Sequence, residues 1–278
     1  MQQKAVTRFI RHRLAVLGFV VLATILLAAL FAHYVAPHDP NLQDLQNTRL
    51  APTTRHPFGT DAFGRDVLSR VIWGGRVSLS VGFLAMLLST GIGVLLGATS
   101  GFYGGRTAWL IMRFTDMFYS IPALFLILML VALFGPGFRM TTIAIGVVYW
   151  PATARIVRAE FLRLKTEPFL EAAQAIGASP LRQVVSHLLP NAMAPLIVQM
   201  TLQLAQAIVL ESGLSYLGLG AQPPTPSWGN ILAEGHLHLR FAPWIATFSG
   251  LFIWLTVLSF NLIGDGLRDA LDPKLIER

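Results

Sequence analysis

EPFLEAAQAIGASPLR, residues 167–182, is the stretch on which the reading of this chain turns. It is too polar to cross a membrane, yet it interrupts a chain that is mostly apolar. Thr166 or Glu167 can cap a helix, and Pro168 falls in its first turn, where a missing N–H costs nothing. Phe169, Ala172, Ala173 and Ile176 recur at helical spacing on one side. Gly177 fits the left-handed residue that stops a helix. Ser179-Pro180 then caps a second helix, whose Leu181, Val184, Val185 and Leu188 form another apolar stripe, and Pro190 ends it. The expected object is a short helix of about 15 Å, a glycine elbow and a second helix. Periodicity alone leaves two readings open: a helix lying on a membrane surface, or one inserted into a protein groove. Surface-binding helices present bulky Leu, Phe or Trp beside Lys and Arg. The small alanines here favour the groove.

The rest of the chain is of a different character. Its 278 residues are 54% hydrophobic and 13% charged, where a soluble domain carries about 25% charged residues. Mean hydropathy is +0.60. That much apolar surface points to an all-α integral membrane protein. Six spans are expected, at 14–36, 78–100, 108–134, 140–158, 194–217 and 243–264, since a bilayer core needs about 20 apolar residues per helix. The first run is longer than a signal-peptide core of about 7–15 residues and is read as a retained helix. With no cysteine in the chain, disulfides, thiolate metal sites and cysteine nucleophiles are excluded.

Charge sets the orientation. With both termini inside, the cytoplasmic segments hold Lys4, Arg8, Arg11, Arg13, Arg106, Arg113, Arg155, Arg158, Arg163, Lys165, Arg182, Arg268, Lys274 and Arg278, fourteen of the 21 basic residues. Cytoplasmic enrichment of Lys and Arg is the topological signal of multi-pass proteins. The net charge of +7 is thereby explained by orientation, and no nucleic-acid role follows. The same topology places 159–193 in the cytoplasm. Residues 1–76 read as an N-terminal unit and 77–278 as a five-span core.

Glu171-Ala172-Ala173, then Gly177, then Leu189-Pro190, resembles the EAA signature of ABC-importer permeases, although His187 stands where many members have isoleucine. PFGTDAFGRDVLSR (57–70), LGLGAQPPTPSWG (217–229) and FNLIGDGLRDALDPKL (260–275) resemble the C-type subunit of the dipeptide/oligopeptide/nickel branch. The resemblance runs from about residue 10 to 275. It implies a type I importer permease fold in which Glu171, Ala172, Ala173, Gly177, Leu189 and Pro190 belong to a coupling helix and its loop, docked on an ATPase. It implies a homologous permease as partner, two ATPase subunits that bind ATP and Mg, an extracytoplasmic binding protein, and the bacterial inner membrane. The substrates implied are dipeptides or oligopeptides, with nickel chelates or glutathione as alternatives.

The residues test part of this. A P-loop needs Gly-x-x-x-x-Gly-Lys-Ser/Thr, but Lys4, Lys165 and Lys274 follow Gln, Leu and Pro. A P-loop motor must come from another chain, and no cofactor is expected in this one. No HExxH is present, and Gly213-Leu214-Ser215-Tyr216-Leu217 misses the Gly-x-Ser-x-Gly elbow. No catalytic residue and no metal ligand set is expected, and the chain is read as a transport subunit. The competitor from another class is an ion-coupled secondary transporter or channel, for which two isolated intramembrane acids and no inverted repeat are poor support.

Gln199, Gln203 and Gln206 lie within about 60° on one side of span five. Amides facing lipid are costly, so they face protein or water. Two readings stay open: a translocation-path lining, or hydrogen bonds to the partner subunit. Glu211 lies off that stripe, toward the outer part of the span; it is counted with the glutamines as a translocation-path candidate, with a buried hydrogen bond near a helix end as its plain reading. Asp116 is paired with Arg113, one turn earlier. Gly93, Gly97 and Gly101 let another helix approach, and Pro122 kinks span three. Outside, Asp61, Arg65 and Asp66 precede an amphipathic run, Val67, Leu68, Val71 and Ile72, expected to lie along the membrane surface before span two. The resemblance puts that surface near the binding-protein dock. Trp228, in the Pro-rich loop resembling the outer gate region, and Trp244 read as interface anchors.

Overall fold

A computed structural model describes residues 2–271. Lys274, Arg278 and positions 272–275 of the last motif lie outside the described residues. The helices are α1 (Gln2–Arg11), α2 (Arg13–Leu30), α3 (Ala32–Val35), α4 (Val67–Tyr103), α5 (Gly105–Ser120), α6 (Ala123–Phe134), α7 (Phe138–Leu164), α8 (Pro168–Ala175) and α9 (Pro180–Arg182). After a π-helical stretch, Gln183–Leu188, come α10 (Leu189–Asn191), α11 (Met193–Tyr216), α12 (Trp228–His236) and α13 (Pro243–Leu271). Among the described residues the only extended pairing is an isolated bridge between Thr60 and Asp66.

Among the described residues five helices, α2, α4, α7, α11 and α13, are long and apolar enough to cross a bilayer. The expected third span is not one helix. Pro122 has no N–H to bond back into α5, and α5 and α6 meet at 86° around it. Counted together they give a sixth, broken span. The kink expected at Pro122 is thus a full break.

A second difference lies in α4. At 37 residues it is about 55 Å long, against a bilayer core of about 30 Å. The run expected to lie along the surface before span two is its first turns. Asp66 caps it, its Oδ2 accepting from the Ser69 N–H at 2.8 Å. Val67, Val71 and Ile72 are buried. The amphipathic pattern was real, but its apolar face meets protein rather than lipid headgroups.

The glycines of α4 set the tightest crossing. A Cβ on Gly93 would stand 2.5 Å from the Thr153 Cβ, and one on Gly101 2.6 Å from the Phe161 Cβ. The absent side chains allow α4 and α7 to make the most extensive helix contact in the molecule. Apolar clusters fill the bundle at three levels. Val67, Val71, Ile208, Trp228 and Ile245 pack at the end near residues 38–66. Val81, Ile127, Ile145 and Leu214 fill the middle. Phe161, Leu164, Leu170 and Leu188 pack beneath α8. Outside these clusters Phe19, Leu27, Leu95, Phe125 and Leu133 are exposed, as suits a surface whose solvent is lipid.

Candidate functional site

At the α8 end, the elbow forms as its sequence dictates. Gly177 has φ +79° and nothing lies within 4 Å of where its Cβ would be. Conformation, not crowding, requires glycine there. The Ala178 N–H donates to the Ala173 carbonyl at 3.0 Å and Gly177 N–H to Gln174 at 2.9 Å, which closes the helix. Gln183 Nε2 donates to the Ala178 carbonyl at 2.7 Å and holds the second arm against the elbow. Lys165 donates to the Phe102 carbonyl at 2.7 Å, tying the end of α7 to the end of α4.

The faces of α8 differ from the expected stripe. Leu170 and Ala173 are buried against the bundle. Phe169, Ala172 and Ile176 are exposed, Ile176 at 82%. Glu171 is exposed beside them. The apolar residues are divided between two sides: one anchors the helix, and the other is exposed among the described residues. The second arm also runs on past Pro190. That residue has no N–H for the carbonyl four back, and the turns before it are wound as π-helix, with the Leu189 N–H reaching Val184. Helix resumes through Asn191, so Pro190 does not end the arm. Leu181 and Val185 on it are exposed.

The glutamine stripe splits. Gln203 is buried and joins three helices of this chain. Its Nε2 donates to Ser89 Oγ at 2.6 Å and to the Tyr149 carbonyl at 2.9 Å. Its Oε1 accepts from Thr90 and Thr153, both at 3.4 Å. The amide is spent on α4 and α7, not on a partner subunit. Gln206 is exposed and Gln199 half-buried. Gln199 borders a cleft of about 600 Å³ with Glu160, Arg163, Asn191 and Arg268, at the α8 end. Asp116 pairs with Arg155 at 2.6 Å rather than with Arg113. Both are half exposed, so the pair contributes only about 0–1 kcal/mol. Glu211 is buried and accepts from Ser215 Oγ at 2.7 Å, the local hydrogen bond expected of it.

At the opposite end lies a clasp. Asp61 and Arg65 are not an outer surface but a buried ion cluster. Arg65 donates from Nε to Asp61 at 2.6 Å and from Nη2 to Glu234 at 2.8 Å. Arg70 bonds Asp61 and both oxygens of Glu234. The second Asp61 oxygen accepts from the N–H groups of Phe63 and Arg65. Loop, α4 and α12 are thereby joined. Trp228 is 0% exposed and donates from Nε1 to the Val71 carbonyl at 2.9 Å. It is a core residue, not an interface anchor. Trp244 donates to the Thr60 carbonyl at 3.1 Å. Arg70 and Glu234 were missed in the sequence. The signal for Arg70 was present: a charge one helical turn from Val67 and beside Val71 requires a counter-ion. Glu234, 164 residues away, was beyond local reading.

A bundle of apolar helices, a hydrogen-bonded junction at its middle and a small-residue hairpin at one end describe a multi-pass membrane protein. Comparison with known proteins is more specific. Residues 93–277 match the model for the binding-protein-dependent transport system inner membrane component, and residues 2–52 match the N-terminal transmembrane domain of oligopeptide transport permease C. The chain is 42% identical over 269 residues to the glutathione transport system permease protein GsiD of Escherichia coli O6:K15:H31, covering 96% of this chain and 89% of that one. It is 40% identical to the dipeptide transport system permease protein DppC of Alkalihalophilus pseudofirmus, covering 95% and 87%. With the oligopeptide transport system permease protein OppC of Haemophilus influenzae it shares 43%, covering 98% and 88%. In fold it is similar to the inward-facing MetNI methionine ABC transporter, with TM-score 0.60 at 20% identity over 74% of this chain and 97% of that one. The chain belongs to the binding-protein-dependent transport permeases of the bacterial inner membrane, and has their type I ABC-importer fold. Within that family it is a non-enzymatic transport subunit.

Proposed function

We propose that this chain is one permease subunit of an ATP-driven importer of dipeptides or oligopeptides. It pairs with a homologous permease and carries two ATPase subunits on its cytoplasmic side. Those subunits bind ATP and Mg, and this chain holds no cofactor. A soluble binding protein delivers substrate to the outer face. Both termini and α8 lie in the cytoplasm, in keeping with the distribution of Lys and Arg. Substrate moves inward by alternating access.

The observation that carries this reading is the outward side of α8: Phe169, Ala172 and Ile176 exposed beside Glu171, on a helix anchored from its other side by Leu170 and Ala173. Small and apolar groups held rigidly in water suit a groove in another protein, and one acid beside them suits a basic rim. ATPase closure then pushes a hairpin whose second arm Gln183 holds against the elbow and whose root Lys165 ties to the end of α4. The glutathione alternative stays open, because the relative at 42% identity is a glutathione permease.

Proteoliposomes holding the full complex provide the test. Peptide uptake should require ATP, the ATPase subunits and the binding protein together. Uptake that persists without ATPase subunits, driven by an ion gradient, would overturn the proposal. Glu171→Arg should lower ATPase co-purification without changing the thermal unfolding of the permease. Competition between a dipeptide and glutathione for the binding protein would decide the substrate.

A further inference from the structure

His38, His56 and Asp66 come from three places: the segment after α3, the loop before α4 and the N-cap of α4. Their side chains meet, with one nitrogen or oxygen from each lying within 4.8 Å of the others. His56 Nδ1 stands 2.9 Å from Asp66 Oδ1, and His38 Nδ1 3.8 Å from the same oxygen. The two imidazole rings are stacked, centroids 4.7 Å apart. We propose that this trio is a binding site for a divalent transition metal, with Zn²⁺ as the ion its ligand chemistry suits best.

Distance supports this first. Zinc bonds imidazole nitrogen and carboxylate oxygen at about 2.0–2.2 Å in a tetrahedron, so its ligand atoms stand about 3.3 Å apart. The two distances to Asp66 Oδ1 fall on either side of that value. Movements of about half an ångström, within the reach of imidazole torsions, would complete three protein ligands. Water would take the fourth position, as in other open three-ligand sites.

The surrounding bonds leave these atoms to one another: His56 Nδ1 and Asp66 Oδ1 share a hydrogen bond at 2.9 Å, which a metal would replace. Asp66 Oδ2 is occupied, accepting from the Ser69 N–H at 2.8 Å and Ser69 Oγ at 2.7 Å. That fixes the carboxylate and turns Oδ1 toward the imidazoles, the outer-shell support that ligating carboxylates have. Ser69 Oγ also accepts from the His38 backbone N–H at 3.0 Å, which places His38 independently of its ring. His38 Nδ1 is a buried nitrogen without a hydrogen-bond partner among the described residues. A buried imidazole nitrogen with no bond costs free energy, and a metal would supply the missing one. The nearby Arg65 and Arg70 are already neutralised by Asp61 and Glu234. Two neutral imidazoles and one carboxylate, without thiolate, suit zinc and its borderline neighbours rather than the all-oxygen preference of Ca²⁺ or Mg²⁺. Bound metal would staple the segment after α3 to the start of α4. The sequence hid the site because its three ligands show no short metal-binding spacing.

The test uses the full chain, purified with its co-purifying subunits, its affinity tag removed, and dialysed against buffered zinc chloride. Elemental analysis should find one zinc per chain that the His38→Ala/His56→Ala double variant lacks. Each single variant should lose at least about tenfold in affinity, the lower end of what removing even an outer-shell partner costs. His236→Ala should leave zinc content unchanged. Saturating zinc should raise the thermal unfolding midpoint of the wild type and not of the double variant. Equal zinc in wild type and double variant would overturn the proposal. So would a wild type that takes up no zinc at micromolar concentration, a result that needs no variant to fold. Co²⁺ gives a second readout, since tetrahedral ligation produces a visible absorption band that zinc should abolish.

Discussion

The two ends of this bundle invert the usual rule for what is buried. At the clasp end, Asp61, Arg65 and Arg70 are almost wholly out of solvent. At the hairpin end, Ile176, Leu181 and Val185 are exposed. Each inversion has a different partner in view. The buried charges are satisfied by one another and by Glu234, within the chain. The exposed apolar groups are left largely uncovered by the described residues. The first end is closed by contacts within the chain, and the second leaves apolar groups in the open.

That contrast can be broken most directly at Arg70. Arg70→Ala leaves two acids, Asp61 and Glu234, sharing the single cation Arg65, and removing one partner of a buried pair costs about 3–5 kcal/mol. Thermal unfolding of the purified subunit should show the loss, and a change under about 1 kcal/mol would end the contrast. Gln203→Leu comes next. It strands Ser89 and the Tyr149 carbonyl between helices, at about 1–3 kcal/mol. Since Gln203 bonds only within this chain, stability should fall along with transport. A loss of transport at unchanged stability would restore the path-lining reading. Gly177→Ala should cost about 1–2 kcal/mol, because a Cβ at positive φ is strained even in open space. Circular dichroism with limited proteolysis at the hairpin would report it. Ile176→Ser sharpens the contrast from the other side. Stability should change by less than about 0.5 kcal/mol, as for surface positions, while co-purification of the ATPase falls several-fold. If Ile176→Ser destabilised the isolated chain, the hairpin would have a partner in this chain after all.

Much of this was legible locally. Pro168, Gly177 and Ser179-Pro180 specify their turns through backbone geometry alone, and the hairpin formed as read. Gly93, Gly97 and Gly101 announced a close helix crossing, though not that α7 would make it. What failed were several judgements about which side of a helix faces what. Val67 and Val71 read as membrane-surface residues because periodicity gives a face and not its neighbour. Phe169, Ala172, Ala173 and Ile176 were grouped on one side, and the fold divided them. Asp116 found Arg155 instead of Arg113 because a pairing across helices competed with one along the helix. The clasp joins residues too far apart for any window of sequence to connect them.

That separation has a consequence in time. Glu234 is made 164 residues after Arg70, an interval of about 8–33 s at ordinary rates of synthesis. Throughout it the charges around Asp61 lack the acid that completes their set, and the start of α4 has no Trp228 to cover it. The first half of the chain therefore waits for the second. A truncated product ending between α4 and α12 carries Asp61, Arg65 and Arg70 without Glu234. The clasp thus marks a finished chain from an unfinished one.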